Sequence, residues 1–202
     1  MKQGVSSAQL FADWAILDAN TTLTLPKGPT AFSGVDAMVH AIEAYTNKLL
    51  KNDLSDHLAR KALDVLSKNI KQATFEGNDA TARGQMLLGS LYAGMSFANS
   101  PTGAVHALAL PVGSFYGVPH GLSNSLMLPR ILEFNAPAAS SMYAEIAPIC
   151  FPNITGDTDS QKVDKFIDEV RNLSKSLDLP QNLSDVGIKT ENCDFLATEA
   201  MK

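Results

Sequence analysis

Four side chains in this sequence could share one ion. The segment GVDAMVHAIEAY carries Asp36 and His40 four residues apart, and on a helix that spacing puts a carboxylate and an imidazole on one face. Downstream, TGAVHALALPVGSFYGVPHGLSN places His106 and His120 fourteen residues apart, with Pro111, Gly113, Gly117 and Pro119 between them. Two imidazoles therefore stand on either side of what reads as a bent connection. One carboxylate and three neutral histidines form a donor set suited to a divalent cation such as Fe²⁺ or Zn²⁺, and the set does not choose between those ions. Each residue also has a plainer structural reading. A lone histidine in an apolar helix is more often a hydrogen-bonded core residue, and Asp36 closes an S-x-x-D capping box with Ser33. His57, in SDHLARK among charged neighbours, reads as solvated surface.

The elements that must position these residues are helices. A first helix is predicted from about Ser33 to Lys48, and a second from about Leu54 to Ala73 behind an Asn52 or Asp53 cap. A third runs from Asn78 or Asp79 to about Asn99. Within it Gly84, Gly89, Ser90, Ala93, Gly94 and Ser96 imply close approach to neighbouring helices, because glycine costs up to about 1 kcal/mol per helical position relative to alanine. A short helix carries His106, and a loop leads to His120 at the head of a helix over 121–134 that Pro129 should kink or break. Helices over about 138–147 and along Val163–Leu177 follow, and DFLATEAMK begins a further helical pattern. Trp14 to Leu17 read as a buried strand with nothing nearby to pair with it, as though its sheet lay in another part of a larger protein.

Composition narrows the partners. The chain has 202 residues, 45% of them hydrophobic, a net charge of −5 and a pI of about 5.3. That suffices for a substantial core, and the absence of a basic run argues against a nucleic-acid or anionic-membrane surface. Cys150 and Cys193 are too few and too far apart for a disulfide framework or thiolate site, so a reducing cytoplasm is the default. No apolar run reaches the roughly 18 residues of a membrane span, and the N-terminal residues lack the pattern of a signal peptide.

The runs GVDAMVHAIEAY, ARGQMLLGSLYAGMSFANSPTGAVHALA and GVPHGLSNSLMLPRILEFN together resemble the iron-containing (group III) alcohol dehydrogenase family, over essentially the whole chain. The resemblance implies an all-α helical bundle, the C-terminal metal-binding domain of that family. Residues 1–25 are then the last strand and connection of an N-terminal α/β nucleotide-binding domain, and 26–202 the helical domain, short of its last helices. It also implies Asp36, His40, His106 and His120 as the metal ligands, with Fe²⁺ or Zn²⁺ acting as Lewis acid. NAD or NADP would be the hydride carrier, an alcohol or an aldehyde the substrate, and a dimer the assembly of the intact enzyme. Two departures stand out. Leu110 occupies a position where the family usually has a histidine regarded as a proton relay, and no glycine-rich phosphate-binding turn is present. The chain alone is accordingly expected to bind metal without dehydrogenase turnover. Tyr116 and Phe115 could line a substrate pocket or simply anchor a loop. The alternatives are a non-catalytic degenerate fragment or interaction module, and a metal hydrolase or lyase that needs no nucleotide.

Overall fold

At the centre of the fold lies α1 (Lys27–Tyr45), with Ala31, Val39, Ala41, Ile42 and Ala44 all at or near zero exposure. So complete a burial requires neighbours on several sides. They are α2 (Asp53–Phe75), α3 (Ala80–Phe97) and α5 (His120–Cys150), each packed on α1. α2 and α3 also pack on each other, α6 (Asp159–Ser176) covers α5, and α4 (Ala104–Tyr116) joins α5 to α7 (Cys193–Ala200). These elements come from a computed structural model that describes residues 7–202. Among the described residues there is no strand, and the architecture is an all-α bundle.

The main core runs from α1 outward through Leu63, Leu66 and Ile70 of α2, Leu132, Tyr143 and Ile146 of α5, and Phe166 of α6. Each large apolar side chain so buried contributes about 1.5–3 kcal/mol, which makes this cluster the main source of cohesion. A smaller cluster of Val112, Val118, Ile188 and Leu196 ties α4 to the C-terminal segment.

Several boundaries differ from the sequence expectation, each for a physical reason. α1 begins at Lys27, six residues before Ser33, because Pro29 is tolerated in a first turn that needs no N–H donor there. Buried Arg83 of α3 clamps that turn, donating from Nη1 to Thr30 Oγ1 (2.7 Å) and from Nη2 to the Leu25 carbonyl (2.9 Å). Ser33 and Asp36 thus lie inside the helix, and the capping box does not form. The stretch read as a loop after His106 is helical to Tyr116, with Pro111 and Val112 buried inside α4. Pro129 does not end α5, which is 31 residues long and runs through Pro129, Pro137 and Pro148. Leu128, Ile131 and Leu132 on one side of the gap, and Tyr143 and Ile146 on the other, are buried. Packing therefore carries the helix past prolines that would otherwise break it.

The expected strand at Trp14–Leu17 is also absent. The segment is non-helical and exposed, with Trp14 86% and Ile16 89% accessible. A strand exists only with a ladder partner, and none of the described residues supplies one. Residues 1–6 of the same predicted segment lie outside the described residues. The small residues of α3 act unevenly: a Cβ on Gly89 would come within 2.6 Å of Leu66, whereas one on Gly94 would meet nothing within 4 Å.

Candidate metal centre

Three helices bring the site together. On α1, Asp36, His40 and Glu43 fall at i, i+4 and i+7, one stripe of its surface. His106 sits in the first turn of α4, and His120 is the first residue of α5. The link Gly117, Val118 and Pro119 follows the far end of α4, yet His106 in its first turn and His120 at the head of α5 come together, with ring centroids 5.4 Å apart. α5 approaches α1 closely enough that a Cβ on Gly121 would lie 2.4 Å from the Phe32 carbonyl oxygen and 3.2 Å from Asp36 Cβ. Only glycine permits this approach, which carries His120 to Asp36.

The donor atoms converge. His106 Nε2 stands 3.6 Å from Asp36 Oδ1, His120 Nε2 stands 3.8 Å from the same oxygen, and His40 Nε2 lies 3.0 Å from His106 Nε2. One ligand atom from each of Asp36, His106 and His120 falls within 4.8 Å of the other two, and together they could hold a metal ion. His40 is not part of that mutual triad and joins it through His106. Two donors bound at about 2.1 Å in tetrahedral geometry are separated by about 3.4 Å. The observed separations of 3.0, 3.6 and 3.8 Å bracket that value, so the residues fit a small divalent cation.

Two further residues complete the cluster, and the sequence reading passed over both. The Asn124 side-chain amide donates to Asp36 Oδ1 (2.5 Å) and lies 3.1 Å from His106 Nε2 and 3.2 Å from His120 Nε2. Its Oδ1 is buried without a hydrogen-bond partner. Glu43, 7% exposed, accepts from the Val105 backbone N–H at Oε1 (2.7 Å) and from His106 Nδ1 at Oε2 (2.6 Å). A signal for each existed. Glu43 is an acid one turn beyond His40 on the stripe that Asp36 and His40 share, and Asn124 follows His120 by four residues.

Electrostatics separates the histidines. Burial pushes His40 down to about 4, more than nearby Asp36 can offset. For His106 burial acts the same way, but its hydrogen bonds and charge contacts with Asp36 and Glu43 outweigh it and raise the imidazole to about 9. Asp36 would be raised by burial, yet the hydrogen bonds from His106 and Asn124 and the charges of His40 and His120 bring it below the usual carboxylate range. The site is open on one side: the His120 side chain is 40% exposed, against 11% for His106. His40 is covered by Phe97, stacked at 4.5 Å between centroids.

The other predicted residues are not part of the donor set. His57 is on the exposed face of α2, as expected. Leu110, one turn after His106 on α4, is 45% exposed. Phe115 packs edge-on against Phe195 of α7 at 4.9 Å, and Tyr116 packs against the small core cluster, so both anchor the α4–α7 contact.

The fold is a helical bundle that gathers three histidines and an aspartate from three helix segments, a set that could hold a metal ion, and comparison with known proteins gives the family. Residues 30–202 match the family described as Fe-containing alcohol dehydrogenase, C-terminal, and the chain belongs to it. It is 37% identical over 177 residues to 1,3-propanediol dehydrogenase of Klebsiella pneumoniae, covering 88% of this chain and 46% of that protein. Alcohol dehydrogenase 4 of Saccharomyces cerevisiae is 35% identical over 189 residues, covering 93% and 48%. The crystal structure of a 1,3-propanediol oxidoreductase superposes with a TM-score of 0.88 at 35% identity, over 91% of this chain and 48% of that one. The chain thus spans about half the length of these relatives.

Proposed function

We propose that this chain is the metal-binding half of an NAD(P)-dependent alcohol dehydrogenase, in which Asp36, His40, His106 and His120 hold Fe²⁺ or Zn²⁺. The observation that carries the reading is the set of donor separations around Asp36 Oδ1 and His106 Nε2, which suits one small divalent ion with room for a further ligand on the exposed His120 side. When bound, the metal supplies Lewis acidity toward an alcohol or carbonyl oxygen. Asp36 lowers the net charge of the centre, and the three imidazoles offer neutral lone pairs. The exposed His120 edge is where a small alcohol or aldehyde enters. Leu110 neither donates nor accepts a proton, so that position gives the substrate an apolar wall in place of a relay.

In the intact enzyme residues 26–202 form this helical domain, and residues 1–25 lead into it from an α/β domain that holds NAD or NADP. Trp14 to Leu17, exposed in the chain alone, are the part of that connection that would find its sheet there. The family relationship favours a cytoplasmic homo-oligomer, and no helix among the described residues is long and apolar enough to cross a membrane.

The test is a Zn²⁺ or Fe²⁺ titration of the 202-residue chain with elemental analysis. One equivalent is expected to bind, to be lost in His106→Ala and His120→Ala, and to be kept in His57→Ala. Equal retention in all three variants would sink the assignment. NADH oxidation with simple aldehydes is expected to be absent from the chain alone, and turnover there would overturn the division of labour between the domains.

A further inference from the structure

We propose that Glu43 is the positioning residue of the centre, fixing which nitrogen of His106 faces the other ligands by serving at the same time as the N-terminal cap of α4. The proposal rests on the metal-site reading above and adds a residue to it.

α4 starts without a cap of its own: Gly103 precedes Ala104 and offers no side chain to the first free N–H groups. Glu43 Oε1, reaching across from α1, accepts from the Val105 N–H at 2.7 Å. The lack of a side chain at residue 103 leaves room for that approach, since a Cβ there would stand 3.2 Å from Oε1. With Oε1 committed, Oε2 of the same buried carboxylate meets His106 Nδ1 at 2.6 Å. A carboxylate has only acceptors to offer. Nδ1 must therefore carry the proton, and Nε2 is left to face Asp36, His40 and His120. One rigid group thus couples the start of α4 to the orientation and tautomer of the histidine one residue further on. Carboxylates that hold histidine ligands in this way strengthen metal binding.

The discriminating variant is Glu43→Gln, which keeps size and shape. The Val105 N–H is a fixed donor, so the amide oxygen must face it, and the amide NH₂ then turns toward His106 Nδ1. That places a lone pair on Nδ1 and the proton on Nε2, the wrong side for a ligand. Zn²⁺ affinity measured by competition with a chromogenic chelator is expected to fall about 10–100-fold, with helix content by circular dichroism unchanged. A Glu43→Gln chain that folds and binds Zn²⁺ as tightly as the unsubstituted one would overturn the proposal.

A second measurement needs no substitution. ¹⁵N-resolved ring resonances of His106, recorded above pH 9 so that the metal-free ring is neutral, are expected to show a protonated Nδ1 in both the Zn²⁺-loaded and the chelator-treated chain. A bare Nδ1 in either sample would overturn the proposal even if Glu43→Gln does not fold. If the unsubstituted chain takes up no Zn²⁺, the metal reading fails, and the chelator-treated spectrum still decides the role of Glu43.

Discussion

His40 and His106 stand with their ring centroids 4.4 Å apart yet are driven in opposite directions, because one is dominated by burial and the other by two carboxylates. This has a consequence for stability when a chelator keeps metal away. His40 titrates at about 4 in the folded chain against 6.5 ordinarily, so between those values the unfolded chain binds more protons and stability rises with pH. His106 titrates at about 9. Its contribution is complete below 6.5 and is lost as pH rises through about 9, where the folded chain holds the extra proton. The urea midpoint of the chelator-treated chain is expected to peak near pH 6.5 and to decline on both sides. His106→Gln should flatten the alkaline decline, and an unaltered decline in that variant would contradict the assignment. Of the residues in this cluster, Asp36, His40, His106 and His120 were legible in the sequence as a donor set because histidines are few and the Asp36–His40 spacing is that of one helix face. Asp36 remained ambiguous there, since capping and ligation use the same carboxylate. Only the true start of α1, at Lys27, removes the capping role.

Among the helices, the contact that matters most for the site is that between the first turn of α5 and α1. Gly121 allows it, and its substitution tests it. Gly121→Ala puts a methyl group against the Phe32 carbonyl, with 2.4 Å available, and backbone cannot rotate away as a side-chain end can. Overpacking of this kind costs about 1–3 kcal/mol. α5 should move outward and take His120 from Asp36, so urea denaturation and Zn²⁺ titration should report a loss together. Gly94→Ala on α3 is the control: nothing lies within 4 Å of its Cβ, and the change should be neutral or stabilising by up to about 1 kcal/mol. A Gly121→Ala chain as stable and as tight for Zn²⁺ as Gly94→Ala would show that this approach does not position the centre. Helix existence was readable from periodicity for α2 and α6, and from its cap for α3. Proline misled at α4 and α5, because its local cost is outweighed by burial of residues that only the folded bundle brings into contact.

At the scale of the molecule, the helical core is continuous from α1 to α6, while the segment ahead of α1 leaves Leu10, Phe11, Trp14 and Ile16 largely exposed. Trp14 is the only tryptophan, so its fluorescence reports this segment alone. Its emission is expected to match that of free tryptophan in water and to be quenched freely by acrylamide. A blue-shifted, protected emission would mean that the segment packs on the bundle. The sequence by itself determined the chemistry available to this protein: the donor types, their order along the chain, the family motifs, and the substitution of Leu110 where a histidine is usual. Those are covalent facts, and neighbouring-residue periodicity extends them to single helices. Tertiary structure alone decided that Asp36 lies inside α1 and not at a cap, that Glu43 joins two helices through His106, that Asn124 enters the cluster, and that the predicted strand finds no partner among the described residues. The reason is physical: the contacts of Glu43 with Val105 and His106 and of Asp36 with Asn124 join residues 60 or more apart in the chain, and these are set by how α1, α4 and α5 pack.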